Sequence, residues 1–284
     1  MISKFINKKA LEFSSGDKIT FQKSIDIEIK RMKENGIPLP NIKGFDKPAA
    51  IVKSRFGDVN IFGHGKKSNK KIVLFVHGML STRGTAIKIF DYYLSRGYWI
   101  LSYDNFGFGE SQEFGINTYG NKEALLLKDI RDYIIKEYEP KKFVIAGESM
   151  GGGTIYSFLG KYSNEMADKF VVDSGFMNPA ENIKYISKNT ISFLAYLAYP
   201  GLKRQLKKSM IVSKDYVKPH ELKEMNNLLH FHSKEDHLVS YDYMSKYKNL
   251  IPNFYTFKEV VKHVQGWYFA KEELYTLLDD FLKE

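Results

Sequence analysis

The serine at position 149 stands between two glycines in the stretch VIAGESMGGG, which runs from Val144 to Gly153. The short apolar run before it predicts a strand, and the residues after it predict a helix. A serine at such a strand-to-helix turn exposes its hydroxyl, and flanking glycines leave room for a sharp backbone bend. The pattern favours Ser149 as a nucleophile for acyl transfer; the alternative is an ordinary flexible loop.

A serine hydroxyl is a poor nucleophile without a base, and the base needs an acid that orients it. With a nucleophile at this kind of turn, the order serine, acid, histidine is expected along the chain. His263, in VVKHVQGW, falls between the last predicted strand and the last helix and is the candidate base. Asp236, in SKEDHLVS, is the favoured acid, while Asp173 in VVDSG and the adjacent Glu235 are alternatives.

Acyl transfer builds negative charge on the carbonyl oxygen, which backbone N–H groups placed in advance can stabilise. One donor is expected from Met150, directly after the serine. The other is expected from Met79 in VHGMLSTRG, where Gly78 lets the backbone turn inward. The sequence therefore predicts an oxyanion hole made by the N–H groups of Met79 and Met150.

A second polar group comes from His230, His232, Asp236 and His237 in the stretch HFHSKEDH. Histidines at positions i and i+2 of a strand share a face, which suggests a metal site. The spacing to the following aspartate and histidine matches no common ligand pattern, however. The stretch is therefore interpreted as a strand with a polar end, and no metal is expected there.

Short apolar runs alternate with helical periodicity along most of the chain. Strands are predicted at 71–76, 98–103, 143–146, 170–172, 228–231 and 254–259, and a hairpin over 50–62 that turns at Gly57. Helices are predicted over about 17–35, 84–95 and 122–138, from the serine to about 161, and at the C-terminus. Such alternation predicts an α/β fold with a mostly parallel central sheet and helices on both faces.

The composition of the 284-residue chain is typical of globular proteins, with 43% hydrophobic and 27% charged residues. The chain has no cysteine, which excludes disulfides, thiolate metal sites and a cysteine nucleophile. The net charge of +10 comes without a nucleic-acid motif, so it is interpreted as a lysine-rich surface and no nucleic acid is expected as a partner. No run matches a signal peptide or a membrane span, which favours a cytoplasmic protein; the oligomeric state is left open.

Taken in order, the stretches VLFVHGM, YDNFGFGES, VIAGESMGG, HSKEDHLV and KHVQGW resemble the α/β-hydrolase superfamily. The chain looks most like bacterial serine esterases related to serine aminopeptidases and monoacylglycerol lipases, over about residues 70–284. Phe106 stands where the family pattern D-x-R-G-x-G-x-S has its arginine. The resemblance implies an ester hydrolase in which Ser149 attacks, His263 takes the proton and Asp236 holds the imidazole. A mechanism of this type is expected to need neither a cofactor nor a metal.

The helical pattern before residue 48 predicts an N-terminal helical extension over 1–48, and the resemblance to the family does not cover it. An α/β-hydrolase domain is predicted over 49–284. Residues from about 176 to 225 break the alternation of strands and helices, so they are interpreted as a helical cap inserted after the fourth core strand. Five apolar residues of the cap either line an acyl channel or form the cap's own core: Phe193, Leu194, Tyr196, Leu197 and Tyr199. The basic residues at 203–208 either touch anionic lipid weakly or form a solvated face, the favoured interpretation.

The expected substrate is a small-molecule ester or lipid, with short or medium acyl esters favoured. Lysophospholipase, monoacylglycerol lipase and serine aminopeptidase activities use the same chemistry and are alternatives. A non-catalytic binding module is the alternative from another class, and the presence of all three triad residue types disfavours it.

Overall fold

The structure is a computed structural model that describes residues 19–162, 166–186 and 222–283. Its strands are β1 (Pro48–Ser54), β2 (Gly57–His64), β3 (Lys71–Val76), β4 (Tyr98–Ser102), β5 (Lys142–Glu148), β6 (Lys169–Asp173), β7 (Leu228–His232) and β8 (Asn253–Thr256). They form one sheet in the spatial order β1-β2-β4-β3-β5-β6-β7-β8. Among these strands, β2 pairs antiparallel with both β1 and β4 and the other five pairs are parallel, so the sheet is mostly parallel.

The described helices follow the predicted alternation. They are α1 (Phe21–Glu34), α2 (Phe90–Ser95), α3 (Asn121–Tyr138), α4 (Met150–Lys161), α5 (Pro179–Ile186), α6 (Tyr241–Ser245), α7 (Gly266–Phe269) and α8 (Lys271–Leu282). Two 3-10 segments cover Arg83–Ile89 and Gly109–Phe114. The helix predicted over 84–95 is therefore a 3-10 segment followed by a short α-helix.

Side chains of the central strands point alternately into two apolar clusters. In β3, Ile72 and Leu74 lie in one cluster and Val73 and Phe75 in the other. Residues of α3 and α4 complete the first cluster, and residues of α1, α2 and α8 complete the second. Because helices cover both faces, the central strands are largely apolar, and the predicted mostly parallel sheet with helices on both faces is confirmed.

Helix α1, from the predicted N-terminal extension, packs directly on the sheet domain. Its Ile25 is buried in the second cluster. The hydroxyl of Ser24 accepts a 3.1 Å hydrogen bond from the N–H of Thr82. A Cβ at Gly84 would lie 2.9 Å from the carbonyl oxygen of Phe21, so the helix and the 3-10 segment meet backbone to backbone. The division of the chain at residue 48 stays a prediction.

The cap predicted at about 176–225 lies mostly outside the described residues, as do its aromatic and basic stretches. Within the cap, the structure describes residues 176–186, which include helix α5, and residues 222–225. The last strand ends at Thr256 rather than at the predicted Glu259. The N–H of Phe257 still bonds the carbonyl of His232, and beyond it the chain leaves the sheet and leads to His263.

No helix in the described ranges is both long and apolar enough to cross a membrane.

Candidate active site

Ser149 joins the end of β5 to the start of α4 in a strained backbone conformation. Its φ of 52° and ψ of −113° are rare for a residue with a side chain. Its N–H donates to the carbonyl of Asp173 at 2.8 Å, and its carbonyl accepts from the N–H of Gly153 at 2.9 Å. These bonds hold the serine at the carboxyl edge of the sheet with its side chain half-buried.

The flanking glycines allow close backbone packing. A Cβ at Gly151 would lie 2.0 Å from the carbonyl oxygen of Val76, and one at Gly147 would lie 2.8 Å from the carbonyl carbon of Gly151. No side chain fits at either position, so α4 begins against the end of β3. The glycines of this turn therefore serve a rigid bend, and the alternative of a flexible loop does not describe it.

The loop after β3 orients the Gly78–Met79 peptide. The Gly78 carbonyl oxygen lies 2.7 Å from Nδ1 of His77 and accepts from the hydroxyl of Ser81 at 2.9 Å. Because the peptide is trans, the N–H of Met79 points away from that carbonyl. A Cβ at Gly78 would lie only 3.4 Å from the Cβ of Ser149, so this peptide lies beside the serine.

Met150 is the first residue of α4, where backbone N–H groups have no acceptor within the helix. Among the described residues, no hydrogen bond uses the N–H of Met150 or of Met79. Both predicted oxyanion donors are therefore without a hydrogen-bond partner in the described part of the chain.

The predicted acid and base lie together. Nδ1 of His263 is 2.7 Å from Oδ2 of Asp236. Oδ1 of the same carboxylate accepts from the backbone N–H groups of Leu238 at 2.9 Å and Val239 at 2.8 Å. Burial opposes ionisation of Asp236, but the charge of His263 and hydrogen bonds from His232 and His263 outweigh it and hold its pKa well below the usual range.

The electrostatics of His263 suit a base beside a serine. Burial alone would lower its pKa, but Asp236, followed by Asp173 and Glu148, raises the pKa above the usual histidine value. Since Glu148 directly precedes Ser149, the imidazole lies within electrostatic reach of the turn. The described residues show no hydrogen bond between Ser149 and His263; such bonds often tighten only when substrate binds.

The two alternative acids are placed differently. Asp173 is buried at the end of β6, where one carboxylate oxygen accepts from Ser174 Oγ at 2.9 Å. The other oxygen has no partner among the described residues, and burial raises the pKa of Asp173 to about 6. Glu235 is exposed. Neither carboxylate is hydrogen-bonded to His263 in the described part of the chain.

The histidines weighed as metal ligands bond to each other. Nε2 of His230 lies 3.0 Å from Nδ1 of His232, and His237 is exposed. Within the described ranges, no group of three or more His, Cys, Asp or Glu side chains is arranged to hold a metal ion.

Arg83, the first residue of the 3-10 segment that follows the loop after β3, was not predicted from the sequence as part of the site. Its guanidinium bonds the buried carboxylate of Asp104 and stacks 3.4 Å from the ring centroid of Phe62. Asp104, which follows β4, is therefore paired with Arg83, which follows β3, although Phe106 replaces the family arginine. The only signal was one arginine in VHGMLSTRG, and sequence spacing does not show what it meets.

Lys88 was also missed. This fully buried lysine bonds the carboxylate of Glu148, the residue before the serine, and lies 4.0 Å from the carboxylate of Glu28 in α1. A lysine within the helical pattern IKIFDYY predicts a solvated face, and only the packing of α1 buries it.

A mostly parallel sheet with helices on both faces and a serine at a strained strand-to-helix turn defines an α/β hydrolase. Residues 67–240 match the family described as serine aminopeptidase S33. This match covers more than half of the chain. The chain therefore belongs to the serine aminopeptidase S33 family and is a serine hydrolase.

Solved structures of similar fold include several esterases. An esterase of Pyrococcus furiosus is 18% identical with a TM-score of 0.63, over 89% of this chain and 93% of that one. Est1E of Butyrivibrio proteoclasticus, solved with ferulic acid, is 13% identical with a TM-score of 0.59, over 83% and 100%. A meta-cleavage product hydrolase of Pseudomonas fluorescens is 17% identical with a TM-score of 0.56, over 83% and 98%. These likenesses show the fold alone. No curated protein matches the sequence.

Proposed function

We propose that this protein hydrolyses carboxylic esters with short or medium acyl chains through an acyl-enzyme on Ser149. The observation that carries the proposal is the 2.7 Å contact between His263 and Asp236, with the imidazole in electrostatic reach of the strained serine. The esterases among the structures of similar fold favour esters as the substrate class.

In the first half of the reaction, Nε2 of His263 takes the proton of Ser149 Oγ as the oxygen attacks the ester carbonyl carbon. Asp236 stabilises the imidazolium that forms. The N–H groups of Met79 and Met150 receive the negative charge on the carbonyl oxygen. The C–O bond to the alcohol then breaks, and the imidazolium returns its proton to the leaving oxygen.

In the second half, water attacks the acyl-enzyme carbonyl, and His263 takes a proton from it. The bond to Ser149 Oγ breaks, the serine regains its proton, and the carboxylic acid leaves. Every step uses side chains and backbone groups of this chain.

Aminopeptidase activity is the second candidate, because the matched family is described by that activity. A peptidase of that type needs an acidic group to receive the substrate's amino terminus. The carboxylate adjoining the serine, Glu148, is already bonded to Lys88. Longer-chain lipase activity needs an acyl channel, and the cap that would line it lies outside the described residues.

The proposal is tested by hydrolysis of p-nitrophenyl esters from acetate to palmitate and of aminoacyl p-nitroanilides, with wild type beside Ser149→Ala. Wild type is expected to prefer short or medium esters. The variant is expected to lose about 10⁴-fold or more in kcat, as triad knockouts do. Ser157→Ala, a buried serine farther along α4, is the matched control and keeps full activity.

Each outcome assigns a different function. Preference for palmitate indicates a lipase, and turnover of the anilides alone indicates the aminopeptidase. Equal activity of wild type and Ser149→Ala would show that another group is the nucleophile. Inactivity on every substrate would favour a binding module.

A further inference from the structure

Three aromatic side chains form a buried hydrogen-bonded chain behind Asp236. Tyr156 Oη lies 2.7 Å from Nδ1 of His230, and Nε2 of His230 lies 3.0 Å from Nδ1 of His232. We name Tyr156, His230 and His232 the histidine chain. At its end, Nε2 of His232 lies 3.1 Å from the carbonyl oxygen of Val239 and 3.3 Å from Oδ2 of Asp236. All three side chains are almost completely buried.

The contacts assign the protons of the chain. Nε2 of His232 faces a carbonyl and a carboxylate, which only accept, so it carries hydrogen. Burial, together with His232, holds the pKa of His230 well below its usual value, so His230 is neutral. If Tyr156 donates to His230 and His230 donates to His232, every polar hydrogen of the chain has an acceptor. The reverse direction leaves the phenol hydrogen without one.

His232 therefore acts on the acid in two ways. Its N–H faces Oδ2, the carboxylate oxygen that also receives His263. It also bonds the carbonyl of Val239, whose own N–H donates to Oδ1 of Asp236. The ring thus holds the carboxylate and the turn that carries it, and it leaves Oδ2 aimed at His263.

The groups around the chain come from several elements. The ring of Phe254 in β8 stacks on His230 at a centroid distance of 4.7 Å, and Tyr241 in α6 meets the edge of His232 at 5.9 Å. The charged groups that face His263 from the sheet are Glu148 and Asp173. Phe254 touches the histidines without a hydrogen bond and therefore offers a matched control.

We propose that His232, with its tautomer set by His230 and Tyr156, is a positioning residue that fixes the Asp236 carboxylate for His263. The inference rests on the proposed function, since it assigns Asp236 and His263 their catalytic roles. The HFH stretch, residues 230–232, then serves to position Asp236 rather than to bind a metal. His232 itself touches no substrate atom.

Loss of the His232 donor is expected to lower kcat more than it raises KM, because the imidazolium forms only during reaction. Losing one hydrogen bond to a charged group is expected to lower kcat about 10- to 100-fold. Without the His232 donor, less of the negative charge of Asp236 is compensated, so the carboxylate stabilises the protonated form of His263 more strongly. The acid limb of the kcat/KM profile, which marks protonation of the base, should therefore move to higher pH.

The experiment measures pH profiles of kcat and kcat/KM on the best p-nitrophenyl ester for wild type, His232→Leu, His232→Gln and His232→Asn. A glutamine amide nitrogen reaches the position of Nε2, whereas an asparagine amide nitrogen reaches only that of Nδ1. We expect the leucine and asparagine variants to show the loss and the shifted limb, and the glutamine variant to recover most activity. If the leucine variant does not fold, the glutamine and asparagine pair still decides.

Phe254→Leu loosens the packing of the same rings and should leave the acid limb in place. An unshifted limb in every His232 variant, equal activity of the glutamine and asparagine variants, or the same shift in Phe254→Leu would overturn the inference. Ser149→Ala, assayed in parallel, separates the two proposals. If it is inactive while the His232 variants match wild type, only the positioning role fails; if it is fully active, the proposed function itself fails.

Discussion

Two buried polar groups lie on opposite faces of the sheet near Ser149, and they are built differently. The histidine chain lies on the face of α4, and each of its polar hydrogens has an acceptor when Tyr156 donates to His230. On the face of α1, one lysine meets several carboxylates. We name this group the lysine cluster, which comprises Glu28, Lys88, Glu148 and Asp173.

The lysine cluster is incompletely satisfied. One carboxylate oxygen of Glu28 and one of Asp173 have no hydrogen-bond partner among the described residues. Burial raises the pKa of both groups. A buried charge without full pairing costs stability, whereas a neutral chain with matched donors costs little. The histidine chain is proposed to orient the Asp236 carboxylate at little cost in stability. The lysine cluster instead joins helix α1 to the serine turn, and its incompletely paired charges lower the stability of the fold.

The largest effect is expected from Lys88→Met, which would break the lysine cluster. The variant leaves the buried carboxylate of Glu148 without its cation, whereas Glu28 keeps its 3.0 Å ion pair with Arg31. Removing one partner of a buried ion pair costs about 3–5 kcal/mol. Urea unfolding followed by circular dichroism should show a loss of that size in the free energy of unfolding.

The matched control is Lys271→Met, since Lys271 pairs with Asp91 at 2.9 Å near the surface. Its loss should cost at most about 1 kcal/mol. Equal losses for the two lysines would mean that the buried cluster stabilises no more than a surface pair, and the contrast between the two networks would fail.

Local pattern predicted the parts of the molecule that depend on neighbours in sequence. The strand over Lys71–Val76 has the predicted bounds, and the strand-to-helix turn at Ser149 has the predicted glycines. Asp236 and His263 could be paired because the order of elements in this fold brings their loops to one edge. Their catalytic roles stay predictions.

Contacts between distant elements could not be read from sequence. Lys88 lies in a helical pattern typical of a solvated face, and only the docking of α1 with Glu28 buries it. Likewise, the HFH stretch predicted a polar strand end, but the hydroxyl that bonds His230 comes from Tyr156 in α4. Such partners depend on tertiary packing, which periodicity does not encode.

A smaller effect is expected from Asp173→Asn. Burial raises the pKa of Asp173 to about 6, against about 3.9 in an unfolded chain, so the native state prefers the protonated form. The wild type therefore loses stability from this group as pH rises from about 4 to 6. The variant lacks that loss and should gain up to about 3 kcal/mol relative to wild type at pH 8, with less gain at pH 5.

Urea unfolding at the two pH values measures this difference, and Asp58→Asn, at an exposed strand position, is the control. A gain for Asp173→Asn that is equal at pH 5 and pH 8 would show that its carboxylate does not titrate between them. In that case the charge cost assigned to the lysine cluster would lie with Glu28 instead.

The smallest effect is expected from Tyr156→Phe, which tests the neutral network. The substitution leaves Nδ1 of His230 without its donor, while His230 can still donate to His232. The expected loss in the free energy of unfolding is about 1 kcal/mol, the usual net value of one hydrogen bond. Tyr103→Phe is the matched control, because Tyr103 is buried and its hydroxyl has no partner among the described residues. That change should be neutral or stabilising. Equal losses in the two variants would mean that the hydrogen bond from the Tyr156 hydroxyl to His230 does not stabilise the protein. In that case His232 alone would set the tautomer of His230.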